Sequence, residues 1–259
     1  METATEEMRG FHGRMAAVHR QVEQQHRTAA RIHSVHADRL RRWHEGSVDP
    51  QVQPRFMAAV AETLGAAGAA LTLFGPDEAE TLAAASDPAS RTAQGLEFTL
   101  GEGPARETVR LCRPIIAAGM QMAQIWPIYG PAVEQLGIRA VAAVPVAAAG
   151  ARLGALTIFD PPRAHGPDLE TFQAAAVTLA VSLLPPWSAP DADQPVGRPP
   201  FLEQGDPCAV VNQAAGMVSV QCRCSAADAL ALIRAHAFAE NRPVDDVAAA
   251  IIDRTLRLN

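Results

Sequence analysis

Residues 139–159 read RAVAAVPVAAAGARLGALTIF, and the fold class turns on this stretch. Arg139 to Val146 and Arg152 to Phe159 are two apolar runs joined through Ala147 to Gly150, the pattern of a hairpin of central strands. Upstream, Ala69 to Phe74 is a further short apolar run closed by Gly75-Pro76, and Leu82 to Ala85 follows it. Pro54 to Leu64 is helical in period. Downstream, Asp168 to Leu184 reads as a closing helix, apolar at Phe172, Ala175, Ala176, Leu179 and Leu183. Helix, strands, a long excursion, strands and helix predict an α+β sandwich on an antiparallel sheet over residues 50–184.

Before this domain, residues 5–45 contain no proline and place Met8, Phe11, Met15, Val18, Val22, Ala29 and Ile32 at a/d spacing, interrupted at Gln25. The spacing predicts one long amphipathic helix, roughly 60 Å at 1.5 Å per residue. So narrow a stripe buries itself against a copy of itself or a neighbouring helix. Residues 1–49 are therefore expected to dimerise the chain, with Gly46 and Pro50 marking the end of the helix.

After the domain, residues 185–207 hold seven prolines and almost no periodicity, which is the composition of a linker that is stiff in places. Residues 208–259 then read as three short helices. Asp206-Pro207 opens the first, with Val210, Val211, Ala214, Met217 and Val218 at helical spacing. Ser225 and Asp228 resemble a capping box ahead of Ala229, Leu230, Ile233 and Ala237. Asn241 can stop that helix, and Pro243 opens a third carrying Val244, Val247, Ala248, Ile251 and Leu256. The small residues Ala214, Gly216, Ala229, Ala237 and Ala248 let three such helices pack closely.

Composition bounds the function. The chain has 259 residues, 48% of them apolar, enough for two domains with buried cores. Its 22 basic residues are all Arg and face 28 acids, a net charge of -6 that excludes gripping nucleic acid or membrane by bulk positive charge. No apolar run approaches the roughly 18 residues needed to cross a bilayer, and the N-terminus lacks a basic-then-apolar leader, so a cytoplasmic protein is expected. Cys112, Cys208, Cys222 and Cys224 form no CxxC pair, and no disulfide framework or closed metal site is implied.

Two families are resembled. Val211-Asn-Gln-Ala-Ala-Gly-Met-Val-Ser-Val-Gln221, Ala229-Leu230, Leu232-Ile-Arg234, Ala237-Phe238, Asn241-Arg242-Pro243 and Asp246-Val247-Ala248 look like an ANTAR domain, the RNA-binding antitermination module of bacterial regulators. Phe98-Thr-Leu-Gly-Glu-Gly-Pro104, Trp126-Pro127, Gly137-Ile-Arg-Ala-Val141, Val144-Pro-Val146 and Arg152-Leu-Gly-Ala-Leu156 resemble a GAF sensor domain, in the form found ahead of ANTAR domains in actinobacterial proteins. The resemblance implies a GAF-type α/β/α sandwich and a C-terminal three-helix ANTAR bundle. It also implies a signal-responsive regulator whose paired ANTAR bundles bind a leader RNA with two small stem-loops and disfavour the overlapping terminator. Where many relatives carry a basic residue after the Gln-Ala pair, Ala215 stands here.

Within this reading Arg223, Arg234, Arg242, Arg254 and Arg257 are the phosphate-contact candidates, since guanidinium forks match phosphate oxygens and stack on bases. Arg234 and Arg242 fall on the family pattern. Gln213 could hydrogen-bond a base edge, and Ala215 takes the place of the relatives' basic residue. Against each stands the plain alternative of a surface residue that solubilises an Ala-rich bundle. The tail carries five Arg against five acids, so phosphate attraction per subunit is weak and affinity has to come from arginines on one face, unstacked bases and doubling of the site. The proline-rich linker interrupts any continuous helix from sensor to effector, which favours release of the effector over a transmitted twist.

Phe74, Trp126, Tyr129 and Phe159 could line a small-ligand pocket in the sensor, although core packing is the commoner fate of such residues. Leu100-Gly-Glu-Gly-Pro104 lacks the following Lys of a nucleotide loop and reads as a structural turn. His12, His19, His26 and His33 recur every seven residues beside the seam; a spacing of about 10.5 Å is too long for two ligands of one zinc, and solvated flanks are expected. His33 and His36, one turn apart, could share an ion. Cys222-Arg-Cys224, near Cys208, reads as small buried apolar residues before it reads as an oxidant sensor.

No paired carboxylates, Ser/His/Asp order or metal motif stands out, so a catalytic residue, metal or cofactor is not expected. A thiol-dependent GAF enzyme needs two thiols in the sensor, and only Cys112 lies there. A helical tail that binds DNA or another protein is the alternative to RNA.

Overall fold

The computed structural model of the protein describes residues 2–46, 54–75, 80–148, 150–162, 168–183, 207–240 and 242–258. Of the expected linker, residues 185–207, all but Pro207 lie outside them, as does Asn241; Pro207 is the first residue of a helix. A sheet of strands β1 (Gly68–Phe74), β2 (Glu80–Ala85), β3 (Ile115–Ala118), β4 (Ala140–Ala148) and β5 (Ala151–Phe159) is antiparallel throughout, in the order β2-β1-β5-β4-β3. The hairpin read from residues 139–159 supplies β4 and β5, paired from Val141 opposite Phe159 to Ala148 opposite Ala151, with Gly150 at φ +80° in its turn. Its central place follows from its sequence, because strands covered on both faces read as continuous apolar runs.

Alternation along the strands separates two cores. Leu71, Ala142, Val144, Leu156 and Ile158 pack against α2 (Phe56–Thr63), α7 (Leu169–Leu183) and Ile32 of α1 (Glu2–His44). On the other face Ala70, Val141 and Phe159 meet the helices of the long excursion: α3 (Pro88–Leu100), α4 (Pro104–Leu111), α5 (Met120–Ile125) and α6 (Tyr129–Gln135). The result is the expected helix–sheet–helix sandwich.

Helix α1 divides in two. Thr28, Ile32 and His36 are buried at four-residue spacing, Gln24 Nε2 donates to Thr171 Oγ1 at 2.8 Å, and Arg39 pairs with Glu62 at 2.7 Å. His33 and His36 both lie against the Phe56 ring, 5.6 and 5.2 Å between centroids, so packing rather than a shared ion accounts for this pair. Before Gln24, residues 10–23 are exposed, Phe11, Met15, Val18 and Val22 among them.

The tail forms α8 (Pro207–Cys222), α9 (Ala226–Ala239) and α10 (Val244–Ile252) around Val211, Ala214, Val218, Ala229, Ile233, Ala237, Val247, Ala248 and Ile251. Ser225 caps α9 as its sequence predicts: its hydroxyl accepts from the Asp228 amide at 3.1 Å and donates to Asp228 Oδ2 at 2.7 Å. The bundle is docked on the sensor, α9 against α3 and α8 against β2, and Phe98 of α3 belongs to the bundle's own apolar cluster.

Candidate nucleic-acid interface

The bundle has two ends of different character. Helix α10 starts beside the end of α9 and runs back along α8, so the chain after α10 returns to the α8–α9 turn, where Cys222 Sγ donates to the Leu258 carbonyl at 3.5 Å. Arg223, Arg254 and Arg257 therefore gather at this end. All three are exposed, and none enters an ion pair among the described residues. Arg223 at φ +53° and Arg254 at φ +59° both sit in the left-handed region just past their helices, a conformation that favours glycine.

Arg242, also exposed, lies at the opposite end, its amide donating to the Ala237 carbonyl at 2.9 Å. Arg234 is half-buried on α9 and turned to the sensor, its guanidinium carbon 4.1 Å from the centroid of the Phe98 ring. Gln213 is exposed on α8. Ala215 is buried within the bundle cluster and packs there without reaching the surface. Five of the seven candidates are thus open to solvent, Arg234 is held by the sensor and Ala215 is core.

The four aromatic candidates of the sensor are not brought into one pocket. Trp126 and Tyr129 are buried edge to face, 5.9 Å apart, in the cluster that also holds Phe159. Phe74 lies apart under the Arg106 guanidinium at 5.5 Å. Burial, then the neighbouring Glu97 carboxylate, push the Tyr129 phenol well above its ordinary value and keep its O–H a donor. That hydroxyl, Trp126 Nε1, Thr108 Oγ1 and Thr157 Oγ1 are buried on this side of the sheet with no hydrogen-bond partner among the described residues.

The glycine-bearing turn is occupied by its own carboxylates. Glu97 Oε1 accepts from the Arg106 amide at 2.8 Å, and Glu102 Oε1 accepts from the Ile128 and Tyr129 amides at 2.6 and 2.7 Å. A Cβ on Gly103 would collide with the Glu97 side chain. Within the turn itself, the Gly101 amide donates to the Glu97 carbonyl at 2.9 Å, and the Glu102 carboxylate ties the turn to the start of α6.

A cavity of about 500 Å³ opens instead between the domains, bounded by α3 and α6 on one side and α8, α9 and α10 on the other. Phe98, Leu100, Ile128, Leu136 and Phe238 line it, with Arg91, Arg242, Asp245 and Asp246. The sequence marks Phe98 only as part of the GAF resemblance and gives no sign of Arg91 as a site residue. An aromatic beside a glycine turn is a faint signal, and only docking of the tail reveals what it faces.

Among the thiols, Cys112 is exposed and accepts from Arg152 Nη1 at 3.5 Å, while Cys222 and Cys224 are half-buried. Of Cys208 the side chain lies outside the described residues. No group of three or more His, Cys, Asp or Glu is placed to hold a metal, and no helix is long and apolar enough to cross a membrane, among the described residues.

Family models match both parts of the chain: a GAF domain over residues 50–183 and an ANTAR domain over residues 206–252. Among solved structures, a domain described as that of a two-component sensor histidine kinase protein from Sinorhizobium meliloti 1021 is similar at 20% identity, covering 49% of this chain and 83% of that one, with a TM-score of 0.38. NreA of Staphylococcus aureus, mutated in its nitrate-binding site, is similar at 16% identity, covering 41% of this chain and 80% of that one, with a TM-score of 0.29. No curated protein matches the chain.

Proposed function

The chain belongs to the GAF domain family and carries an ANTAR domain in its tail, and we propose that it is a signal-responsive RNA-binding antitermination regulator of the cytoplasm. Residues 50–184 act as the sensor, 208–259 as the effector, 185–207 as the linker, and 1–49 pair two copies. The effector binds a leader RNA with two small stem-loops, one per bundle of the dimer. The observation that carries this reading is the ANTAR match on a compact bundle with Arg223, Arg254 and Arg257 exposed together at one end.

The balanced charge of the tail supports a particular mode of binding. With five Arg against five acids in the tail, the bundle cannot hold a polyanion by net charge. Arginine contacts to phosphates position the stem, bases unstacked in the loops supply specificity, and pairing through α1 multiplies two weak sites. Gating proceeds by release. Arg234 is half-buried against the sensor with its guanidinium over Phe98, so the docked bundle holds back one of its recognition residues. A small molecule in the sensor supplies the signal; the unmet donors of Trp126 and Tyr129 support a polar ligand at that side of the sheet.

The test is a gel-shift titration of the full chain at moderate salt with a two-stem-loop leader and with the same RNA scrambled in its loops. Preferential binding of the intact leader is expected. Equal affinity for both RNAs overturns the reading.

A further inference from the structure

Two guanidinium groups near the seam between the domains carry donors that the fold does not use. Arg55 stands at the N-cap of α2 and Arg91 in the first turn of α3. Arg55 Nη1 and Arg91 Nε are both buried without a hydrogen-bond partner among the described residues. Neither side chain enters an ion pair there. Burial first, and then the Arg91 charge, lower the Arg55 pKa; Asp87 opposes them, but its carboxylate is already engaged by Ser86 and Ser90. Like charges set together with buried, unspent N–H groups are costly unless an anion completes them.

Arg91 opens onto the interdomain cavity. Along the same face of α3 comes Gly95, where an added Cβ would meet nothing within 4 Å, and then Phe98. Large apolar side chains of the wall are left wet: Phe238 is 63% exposed and Ile128 53%. The bundle wall contributes Arg242, Asp245 and Asp246, so the charged lining sums to zero, and Arg91 is the basic residue of that lining with a buried N–H left without a partner among the described residues. A volume of about 500 Å³ falls within the roughly 300–1,000 Å³ that drug-sized ligands occupy.

We propose that this interdomain cavity is a binding site for an amphipathic organic anion, an apolar body ending in a carboxylate or a chemically similar oxyanion. Arg91, backed by Arg55, holds the head. Phe98, Ile128, Leu136 and Phe238 cover the body. Because the body lies against the ring that holds Arg234, occupancy is coupled to docking of the bundle. That consequence for RNA rests on the regulator reading above, whereas the binding itself does not.

The experiment uses the full chain with anilinonaphthalene sulfonate as a fluorescent probe. Decanoate is the competitor, with decanol and decyltrimethylammonium as uncharged and cationic controls. Decanoate is expected to displace the probe well below the concentration at which either control does. Arg91→Gln weakens decanoate on the order of tenfold or more, the loss expected for a charge-assisted hydrogen bond, and leaves decanol unchanged. Gly95→Leu fills the floor and weakens both. Thermal unfolding of each variant checks the fold, and Arg55→Gln replaces Arg91→Gln for the comparison if the latter melts early. Equal displacement by decanoate and decyltrimethylammonium, or decanoate affinity indifferent to the arginine variants, overturns the proposal. None of these readouts involves RNA, so a chain that binds decanoate but no leader leaves this site standing and sinks only the regulator reading.

Discussion

The guanidinium of Arg234 lies over the ring of Phe98, 4.1 Å from its centroid, and this contact joins a helix of the effector to a helix of the sensor. Phe98 is only 4% exposed and shares the bundle's apolar cluster, so the contact is part of a packed seam. A cation over an aromatic face is worth about 0.5–2 kcal/mol. Phe98→Leu keeps apolar packing and removes the ring. The full chain carrying it is expected to bind the leader roughly two- to thirtyfold more tightly. Hydrogen exchange of the α9 amides is expected to quicken in the same variant. Faster exchange with unchanged RNA affinity would show that docking and RNA do not compete for Arg234.

The positive φ of Arg223 and Arg254 gives a test in which folding and binding move in opposite directions. The left-handed conformation costs an L-residue roughly 1–2 kcal/mol, offset in part by the larger unfolded entropy of glycine. Arg223→Gly and Arg254→Gly are therefore expected to leave thermal stability unchanged or raise it by about 1 kcal/mol. Leader affinity falls in each, and the slope of log affinity against log salt drops by about one for each phosphate no longer neutralised. Arginines serving only as helix stops would give no change in that slope.

The sandwich was legible because its central strands are long apolar runs, and β4 and β5 fall almost where residues 139–159 place them. Strand β3 was not, because Ile115–Ala118 is four residues at a sheet edge with every second side chain exposed. Helices α3 to α6 fall in the stretch that reads only as an excursion. Their order comes from tertiary ties such as Gln94 Nε2 donating to the Leu71 carbonyl at 2.9 Å, or Glu102 accepting the first amides of α6. The tail helices and the Ser225 cap are local and were readable. What Arg234 touches was not, since Phe98 comes from another domain and no periodicity connects the two. Ala215 shows the same limit: spacing identifies a family position, but only packing places it in the core.

Asp87 gives a pH dependence with a definite sign. Burial pushes its carboxyl up, but hydrogen bonds from the Ser86 and Ser90 hydroxyls and the Ser90 and Ala89 amides outweigh that, and the net pKa is lowered from the ordinary value of 3.8. A carboxylate depressed on folding stabilises fully above the unfolded value and loses that contribution as pH falls through the folded one. As the N-cap of α3, Asp87 also satisfies the Ser90 amide at 3.0 Å. Asp87→Ala is expected to cost about 0.5–2 kcal/mol near neutral pH. The gap to the parent protein, followed by thermal unfolding, holds constant down to about pH 5 and narrows below about pH 4. A gap that widens on acidification would contradict the assignment.

Phe11, Met15, Val18 and Val22 stand exposed at heptad spacing on the part of α1 that precedes its contact with α7. Apolar side chains in such a row gain their burial from another helix, and a second copy of α1 supplies an identical one. Sedimentation of the parent chain is expected to give a dimer. Met15→Glu with Val18→Glu sets like charges across the seam and gives a monomer with unchanged thermal unfolding, because neither side chain packs on its own sensor domain. If the leader engages both bundles at once, loss of pairing removes the intramolecular second step. Apparent affinity for two stem-loops then falls by on the order of a hundredfold or more, while affinity for a single stem-loop stays the same. A doubly substituted chain that still sediments as a dimer would move the pairing surface elsewhere; equal losses on single and double stem-loops would mean that the charges disturb the bundle and not the avidity.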